Sequence, residues 1–328
     1  MEPSARSPRH YQHLLPFRDL TLPARDPEAG PALPAISREE IIAIPKRSKV
    51  ELDRSRLGLS DEALREHYLR SGMNAAAMFE SHEYQRDARA LVERCLGSER
   101  IFLRAELTPE RLAQARVLIA VGGDNHLQFV AARATTQIII GINSDPVRSE
   151  GALTRFTAEQ LPALIEGLEQ GRYRVEEWRR LSASVNGITL PPAAGEIFIG
   201  EANRTSMSRY LIETRGGREE QKSSGLIVST GAGSGGWYDA AIRYALPEGD
   251  IFPPTSARAR FVTSEPFRGS LSRSRILYGT LAEGEQIAIT SMNDDHGIVA
   301  VDSITQLPFP PGARAIVQLA PEKLRIMI

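Results

Sequence analysis

Three short runs of almost purely apolar residues constrain the fold of this chain most strongly. They are Ile41–Pro45, Val117–Val121 and Ile138–Ile142, and helical patterns such as the one from residue 60 to about residue 95 lie between them. Strands that are apolar on both faces are buried on both faces, as in a parallel sheet with helices on each side. The sequence therefore predicts an N-terminal α/β domain with a parallel sheet, in which Arg100–Arg104 is a further strand.

Beyond the next helix, which is predicted over Thr157–Gly171, the pattern changes to many short strand-like segments separated by Gly, Pro, Asn and Asp. Spacing of this kind is typical of an antiparallel all-β domain. We expect residues 1–37 to form a proline-rich extended arm and residues 38–155 the α/β domain. Residues 156–310 are then the β domain, and 311–328 are C-terminal strands that can return to the first domain.

Composition excludes several classes of function. The 328 residues carry 40 Lys plus Arg and 41 Asp plus Glu, a formal net charge of −1, so no strong field attracts nucleic acid or a membrane surface. No apolar run approaches the roughly 18 residues of a membrane span. A single cysteine excludes an internal disulfide framework, and the N-terminal residues lack the apolar core of a signal peptide. These features predict a cytoplasmic protein.

The turn Gly122-Gly123-Asp124-Asn125 follows an apolar strand at the point where a helix is predicted to begin. Ligands of open α/β sheets bind in the crevice at the carboxyl ends of the strands. Glycines let the backbone approach phosphates, a helix N-terminus favours anions, and a carboxylate accepts a proton or holds a metal ion. The alternative is an ordinary strand-to-helix turn with Asp124 as its N-cap.

A second glycine-rich segment, Gly231-Ala-Gly-Ser-Gly-Gly236, follows the strand pattern Leu226–Thr230 and precedes the amphipathic segment Trp237–Tyr244. It fits G-x-G-x-x-G literally, but Pro247, Pro253 and Pro254 leave no room for the second βα unit of a Rossmann site. We interpret it as a backbone surface that a nucleotide contacts. A flexible loop is the alternative.

A third polar stretch, Asn143–Gly151, ends the last parallel strand and contains Asp145 and Arg148. Arg148 can bind a phosphate, and the alternative is a polar linker. The basic run Lys46-Arg47-Ser48-Lys49 is most simply a solvated loop, although its place after the first strand leaves a phosphate contact open.

These motifs, in this order, resemble those of the NAD kinase family. The resemblance rests on the GGD turn, on Gly195-Glu196 entering the β domain, and on Ser223-Ser-Gly-Leu-Ile-Val-Ser-Thr-Gly-Ala-Gly-Ser234. It is closest to the mitochondrial-type branch, because Asn143–Gly151 and Gln221–Gly225 with Trp237 are characteristic of it. The resemblance extends from about Ile41 to the C-terminal residue and implies an α/β domain, a β domain and a nucleotide site between them.

The resemblance also implies an activity, which is phosphoryl transfer from ATP, with Mg²⁺, to the 2′-hydroxyl of the adenosine ribose of NAD. Asp124 would be the catalytic residue that accepts the hydroxyl proton or orients the hydroxyl, and Glu196 would hold ribose hydroxyls. A homodimer or higher homo-oligomer is expected, with neither nucleic acid nor a membrane as partner and no metal-ligating side chain. The remaining expected nucleotide-binding residues are Gly122, Gly123, Asn125, Asp145, Arg148, Thr230, Gly231, Gly233, Ser234, Gly236 and Trp237.

Two departures from the family pattern keep other functions open. The family's GGDGT reads GGDNH here, so Asn125 and His126 are expected to place side chains where bare backbone would approach phosphate. The family's Asn-Glu pair reads Gly195-Glu196, without the amide. The alternatives are a kinase of another hydroxyl, on a sugar or nucleoside, and a catalytically weak nucleotide-binding sensor.

Overall fold

The computed structural model describes residues 33–203, 205–267, 269, 274–294 and 296–328. The predicted arm therefore lies outside the described residues up to position 32. Its last residues pack on the first domain, where the N–H of Ile36 donates to the carbonyl of Leu168 at 3.0 Å and the Tyr173 hydroxyl donates to the carbonyl of Pro34 at 2.9 Å.

The described part of the chain contains seven α-helices and eighteen strands. The helices are α1 Lys49–Leu57, α2 Asp61–Arg70, α3 Ala75–Leu96, α4 Pro109–Ala113, α5 Asp124–Ala131, α6 Leu161–Glu169 and α7 Trp237–Ile242. Local chemistry explains several of their starts. The Ser48 hydroxyl accepts the N–H of Glu51 at 3.1 Å before α1, and Thr108 with Pro109 begins α4 as the sequence predicts.

The first sheet has six strands and is mostly parallel. Its strands are β1 Ile41–Pro45, β2 Val117–Gly122, β3 Ile138–Asn143, β4 Phe156–Thr157, β5 Val175–Trp178 and β18 Leu324–Met327. The order is β1-β2-β3-β18-β5 with β4 beside β3, and β5 alone runs antiparallel to its neighbour. Helices α3 and α6 cover one face and α5 covers the other, so apolar strands are buried on both sides.

Two further six-stranded antiparallel sheets form the β region. One has the order β10-β9-β14-β17-β6-β7, and the other β13-β12-β11-β8-β15-β16. They share one apolar core, which contains Val228 of one sheet and Val317 of the other. The strands are β6 Leu181–Val185, β7 Ile188–Thr189, β8 Glu196–Glu201, β9 Ser208–Thr214, β10 Gly217–Ser223, β11 Gly225–Ser229, β12 Arg258–Ser264, β13 Tyr278–Ala282, β14 Gln286–Ser291, β15 Gly297–Val301, β16 Thr305–Pro308 and β17 Arg314–Leu319.

This architecture confirms the predicted fold class of an α/β domain with a parallel sheet followed by an antiparallel β domain. The domain limits stay a prediction. Strands β4 and β5 come after residue 155 in the chain and pair within the first sheet, and β18 pairs there in parallel with β3.

The strand predicted at Arg100–Arg104 is wrong. Only Ile101 forms a bridge with Ala43, and the N–H of Phe102 donates to the Ala43 carbonyl at 2.9 Å. The backbone then leaves the edge of β1 in a short 3-10 turn at Arg104–Glu106, and Arg104 Nε donates to His126 Nδ1 at 2.8 Å.

Buried Arg180 joins the two regions. Its Nη1 donates to the carbonyl of Ala134 at 3.1 Å and its Nη2 to the carbonyl of Ala131 at 2.8 Å, so it caps the C-terminal end of α5. Burial lowers its pKa to about 10. The guanidinium thus fixes the helix that begins at the GGD turn to the start of the β region.

Candidate nucleotide site

Three predicted motifs meet around one turn, Ala194–Glu196. The Thr230 hydroxyl, at the start of the glycine-rich loop, donates to the Ala194 carbonyl at 2.6 Å, and the Thr230 N–H donates to the Gly195 carbonyl at 2.9 Å. From the GGD turn, the Asn125 amide lies 3.4 Å from the carbonyl oxygen of Asp302. Asp302 in turn contacts the same Ala194–Glu196 turn, so segments from both domains converge there.

The carboxylate of Asp302 organises this turn. It accepts the N–H groups of Ala194, Gly195 and Glu196 at 2.7, 2.9 and 2.9 Å, and the side chain is buried. Burial raises its pKa, while the three backbone donors and Arg180 act in the opposite direction. The sequence analysis missed Asp302, although its position directly after the apolar strand β15 is a place where polar side chains often serve a site.

Glu196 begins β8 beside a cavity of about 460 Å³. The cavity is also lined by Phe198, Trp237, Asp302 and Thr305, and the Phe198 and Trp237 rings stack with centroids 5.0 Å apart. Burial first, and then the negative charge of Asp302, raise the pKa of Glu196 to about 7. A carboxyl group that titrates near neutral pH beside two aromatic rings suits recognition of a ligand with hydroxyl groups and a flat ring.

The glycine-rich loop is packed tightly against the protein itself. A Cβ at Gly231 would lie 2.0 Å from the Pro253 carbonyl oxygen, and one at Gly233 would lie 2.5 Å from that of Gly195. Ser234 is buried, and its hydroxyl bonds with the Gly231 carbonyl at 2.8 Å. Gly236, by contrast, is exposed and precedes α7. Packing against the protein's own backbone therefore requires glycine at 231 and 233, and Gly236, next to half-buried Trp237, is the exposed residue of the loop.

Asp124 is held by the backbone that follows Gly151. Its Oδ1 accepts the N–H groups of Leu153 and Thr154 at 2.9 and 3.2 Å, and its Oδ2 accepts that of Ala152 at 3.0 Å. The Thr154 hydroxyl is 3.4 Å from Oδ1. Oδ2 thus has one bond and Oδ1 has three contacts, which leaves Oδ2 as the oxygen with acceptor capacity to spare.

The side chain of His126 lies against the first glycine of the GGD turn. It is buried, with Nε2 2.6 Å from the Ile44 carbonyl oxygen, and a Cβ on Gly122 would be 2.8 Å from the His126 Cβ. The first turn of α5 thus directs residue 126 inward, between Gly122 and β1. Its expected effect on the approach of a phosphate stays a prediction. Asn125 is exposed and remains beside the turn.

Asp145 and Arg148 lie together at the carboxyl end of β3, but each has protein partners. Asp145 accepts the Ser81 hydroxyl at 2.5 Å, and its Oδ1 is 3.6 Å from an Arg148 nitrogen. Arg148 also pairs with Glu80. The phosphate contact predicted for Arg148 stays a prediction, since the guanidinium is already shared between two carboxylates.

Gly195 leaves room for a neighbouring side chain. A Cβ at this position would lie 2.3 Å from Nε2 of Gln128, so the glycine that stands in place of the family's asparagine lets an amide from α5 approach the turn. Among the described residues, no group of three or more His, Cys, Asp or Glu side chains is arranged to hold a metal ion. None of the described helices is both long enough and apolar enough to span a membrane.

Comparison with known proteins gives this two-domain fold a context. No protein-family model matches the chain. The solved structure of an NAD kinase from Archaeoglobus fulgidus in complex with ATP superposes with a TM-score of 0.56 over 87% of this chain and 92% of that one, at 16% sequence identity. This similarity shows the fold.

Curated relatives point to the same class. A probable NADH kinase of Oryza sativa subsp. japonica is 27% identical over 56% of this chain, and the mitochondrial NAD kinase 2 of Rattus norvegicus is 27% identical over 61%. The NAD kinase of Natronomonas pharaonis is 26% identical over 66% of the chain. The chain spans 61% and 59% of the length of the rice and rat relatives. The predicted resemblance to NAD kinases, including the mitochondrial type, is confirmed.

Proposed function

We propose that this protein is a kinase that transfers a phosphoryl group from ATP to the 2′-hydroxyl of the adenosine ribose of NAD, forming NADP. The observation that carries the proposal is the convergence of the three predicted motifs on the turn Ala194–Glu196. Relatives from plant, animal and archaeal sources are named as kinases of NAD or NADH, which supports the same reaction class.

In this proposal Asp124 orients the acceptor hydroxyl. Among the described residues, its Oδ2 accepts the Ala152 N–H alone, so it has lone-pair capacity for the 2′-hydroxyl. Phosphoryl transfer demands little covalent chemistry from a protein, and positioning with charge neutralisation supplies most of the acceleration. A carboxylate fixed by backbone donors is well suited to positioning.

Glu196, Gly236 and Trp237 bind the dinucleotide in this proposal. The Glu196 carboxylate accepts ribose hydroxyls, and the cavity beside Phe198 and Trp237 takes a ring. Thr230, Gly231, Gly233 and Ser234 shape the loop, because their contacts are with the protein.

Gly122, Gly123 and Asn125 face the phosphates of the donor in this proposal. Asp145 and Arg148 border that region at the end of β3. Mg²⁺ typically binds through one or two carboxylates and the phosphates of its substrate. In this proposal Mg²⁺ therefore enters the site as Mg-ATP.

The test is incubation of the purified protein with Mg-ATP and a panel of acceptors, with the added phosphate located by mass spectrometry. We expect NADP from NAD and no product from the matched analogue that carries 2′-deoxyadenosine. Phosphorylation of a sugar or nucleoside with NAD untouched would overturn the acceptor assignment.

One observation favours a second candidate, a nucleotide-binding sensor without transfer. Three backbone N–H groups already occupy the Asp124 carboxylate, as in a purely structural role. Tight binding of NAD without any phosphorylated product would select this function. The homo-oligomer and the cytoplasmic location stay predictions, which light scattering and cell fractionation test.

A further inference from the structure

Two cations lie near the end of β1, and the charge of Arg104 acts on Lys46. Lys46 directly follows β1, and its N–H donates to the Val121 carbonyl at 3.0 Å, so it stands beside the strand that leads into Gly122-Gly123. Arg104 approaches from the segment before α4 and binds His126, whose ring contacts the carbonyl of Ile44. Both cationic side chains are partly buried.

His126 fixes the orientation of Arg104. With Nε2 2.6 Å from the Ile44 carbonyl oxygen and Nδ1 2.8 Å from Arg104 Nε, the imidazole carries its proton on Nε2 and accepts at Nδ1. Burial, and to a smaller extent the nearby cations, lower its pKa to about 4, so it stays neutral at physiological pH. The Arg104 guanidinium also lies over the Phe129 ring, 4.4 Å from its centroid. Among the described residues, its two terminal nitrogens form no hydrogen bond.

Among the described residues, neither cation forms an ion pair with an acidic side chain. Burial, followed by the charge of Arg104, lowers the pKa of Lys46, and burial, followed by the charge of Arg133, lowers that of Arg104. The charge of Asp145 acts on Lys46 in the opposite direction, but this carboxylate accepts the Ser81 hydroxyl and lies 3.6 Å from Arg148. Partly buried like charges that are not paired are unfavourable unless an anion joins them.

We propose that Arg104 and Lys46 bind the terminal phosphates of the phosphoryl donor, and that His126 is the positioning residue that orients Arg104. This inference rests on the proposed function and adds the donor side of the site. A guanidinium with free terminal nitrogens and an ammonium group together match a polyphosphate chain, which either a nucleoside triphosphate or inorganic tripolyphosphate supplies.

The first experiment measures binding of ATP and of inorganic tripolyphosphate by calorimetry. Arg104→Gln and Lys46→Gln should each weaken binding about tenfold or more, because a charge-assisted contact is lost. Arg133→Gln is the matched control: Arg133 lies over the same Phe129 ring, 3.6 Å from its centroid, but its Nη1 donates to the Phe129 carbonyl. An equal loss in the control variant would mean that only the general positive field matters and would overturn the proposal.

The tripolyphosphate measurement distinguishes the source of the anion. If the wild type binds both ligands and both are weakened in Arg104→Gln, the site recognises the polyphosphate chain itself. If the wild type binds ATP alone and the variant loses it, the nucleotide is the ligand. Either result supports the site, and unchanged ATP affinity in both cation variants rejects it.

A double-mutant cycle tests the positioning role of His126. His126→Phe keeps a ring of similar size but removes the acceptor for Arg104, so the KM for ATP should rise while the KM for NAD stays close to wild type. In the Arg104→Gln background the same change should add little, because its effect acts through Arg104. Equal effects in both backgrounds would show that His126 has a general structural role instead.

The inference and the proposed function fail separately. Weakened donor binding in the cation variants of a protein that does not phosphorylate NAD would leave the phosphate site standing and remove the acceptor assignment. NADP formation by a protein whose Arg104→Gln and Lys46→Gln variants bind ATP normally would support the acceptor assignment and reject the phosphate site.

Discussion

Asp124 and Asp302 hold two turns in the same way, although they lie in different domains. Each carboxylate accepts three backbone N–H groups, Asp124 from residues 152–154 and Asp302 from residues 194–196. Asp302 is only 1% exposed, whereas Asp124 is half-buried at the first turn of α5. The same hydrogen-bond pattern therefore belongs to a fully buried carboxylate in one case and to a partly exposed one in the other. Solvent exposure distinguishes the two, whereas residue type does not.

The largest expected effect is on stability, in Asp302→Ala. The change leaves the N–H groups of Ala194, Gly195 and Glu196 without their acceptor, and each buried unpaired donor costs about 1–3 kcal/mol. We expect the free energy of unfolding to fall by several kcal/mol, measured by urea denaturation. Asp302→Asn keeps one acceptor oxygen and should lose less. Wild-type stability in Asp302→Ala would break the comparison, because the turn would not depend on its carboxylate.

The next effect is on the rate, in Asp124→Asn. We expect turnover to fall roughly a hundredfold, about 2.7 kcal/mol in activation free energy, because the oxygen that orients the hydroxyl becomes an amide group. Stability should fall far less than in Asp302→Ala, since Asn keeps one oxygen for Leu153 and Thr154. Steady-state kinetics with a melting curve separates the two effects. Unchanged turnover would make Asp124 a support of the same kind as Asp302.

The pH dependence of the free energy of unfolding should reveal the titration of Glu196, the carboxyl group beside Asp302. Glu196 has its pKa raised from 4.5 to about 7, so the folded chain holds this proton more tightly than the unfolded chain. Its contribution to stability is complete below pH 4.5 and is lost as the pH rises through about 7. Glu196→Gln should remove this part of the decline in unfolding free energy between pH 5 and 8.

NAD binding should show the opposite dependence. The Glu196 carboxylate is the stronger acceptor for ribose hydroxyls, so NAD affinity should rise as the pH increases through about 7. Glu196→Gln should bind NAD more weakly and with a flat pH profile, measured by calorimetry at pH 6 and 8. His126, with a pKa of about 4, stays neutral in this range and does not contribute to the pH dependence of NAD affinity. Wild-type NAD affinity in this variant would show that Glu196 only begins a strand and does not bind the ribose.

The smallest effect is expected for Asn125→Gly, which removes the 3.4 Å contact between the GGD turn and the Asp302 carbonyl. One long, partly buried hydrogen bond contributes about 1 kcal/mol. The KM for ATP should change by several-fold at most, and NAD affinity should stay constant. A much larger loss would show that the two turns depend on each other.

His126→Thr, which restores the second family residue, is expected to lower donor affinity, because it releases Arg104. A KM for ATP at or below the wild-type value in this variant would contradict that expectation.

The parts of this fold that were predictable are those with local causes. The apolar run before Gly122 predicts β2, and Thr108 with Pro109 predicts the start of α4. The strand at Arg100–Arg104 was predicted wrongly because Arg104 pairs with His126, which is 22 residues away in the chain. Nothing in the local pattern reveals such a partner.

The residues of the candidate site differ in the same way: some have a local sequence signal and others do not. Residues that form recognisable motifs, such as Asp124 and Glu196, could be named from the sequence, but their hydrogen-bond partners could not. Asp302 lies 106 residues from Glu196 and becomes visible only when β8 and β15 pair. The glycines at 231 and 233 were recognised, yet the reason for them, contact with Pro253 and Gly195, depends on the folded backbone.

The position of β18 in the first sheet has a consequence for synthesis on the ribosome. About 180 residues separate the end of β3 from the strand that pairs with it, which corresponds to roughly 10 to 40 seconds of translation. During this time the buried edge of β3 has no neighbour at Ile138 and Ile139, and an unpaired apolar edge invites aggregation. The sheet of the α/β domain can therefore become complete only after the β domain that follows it has been synthesised.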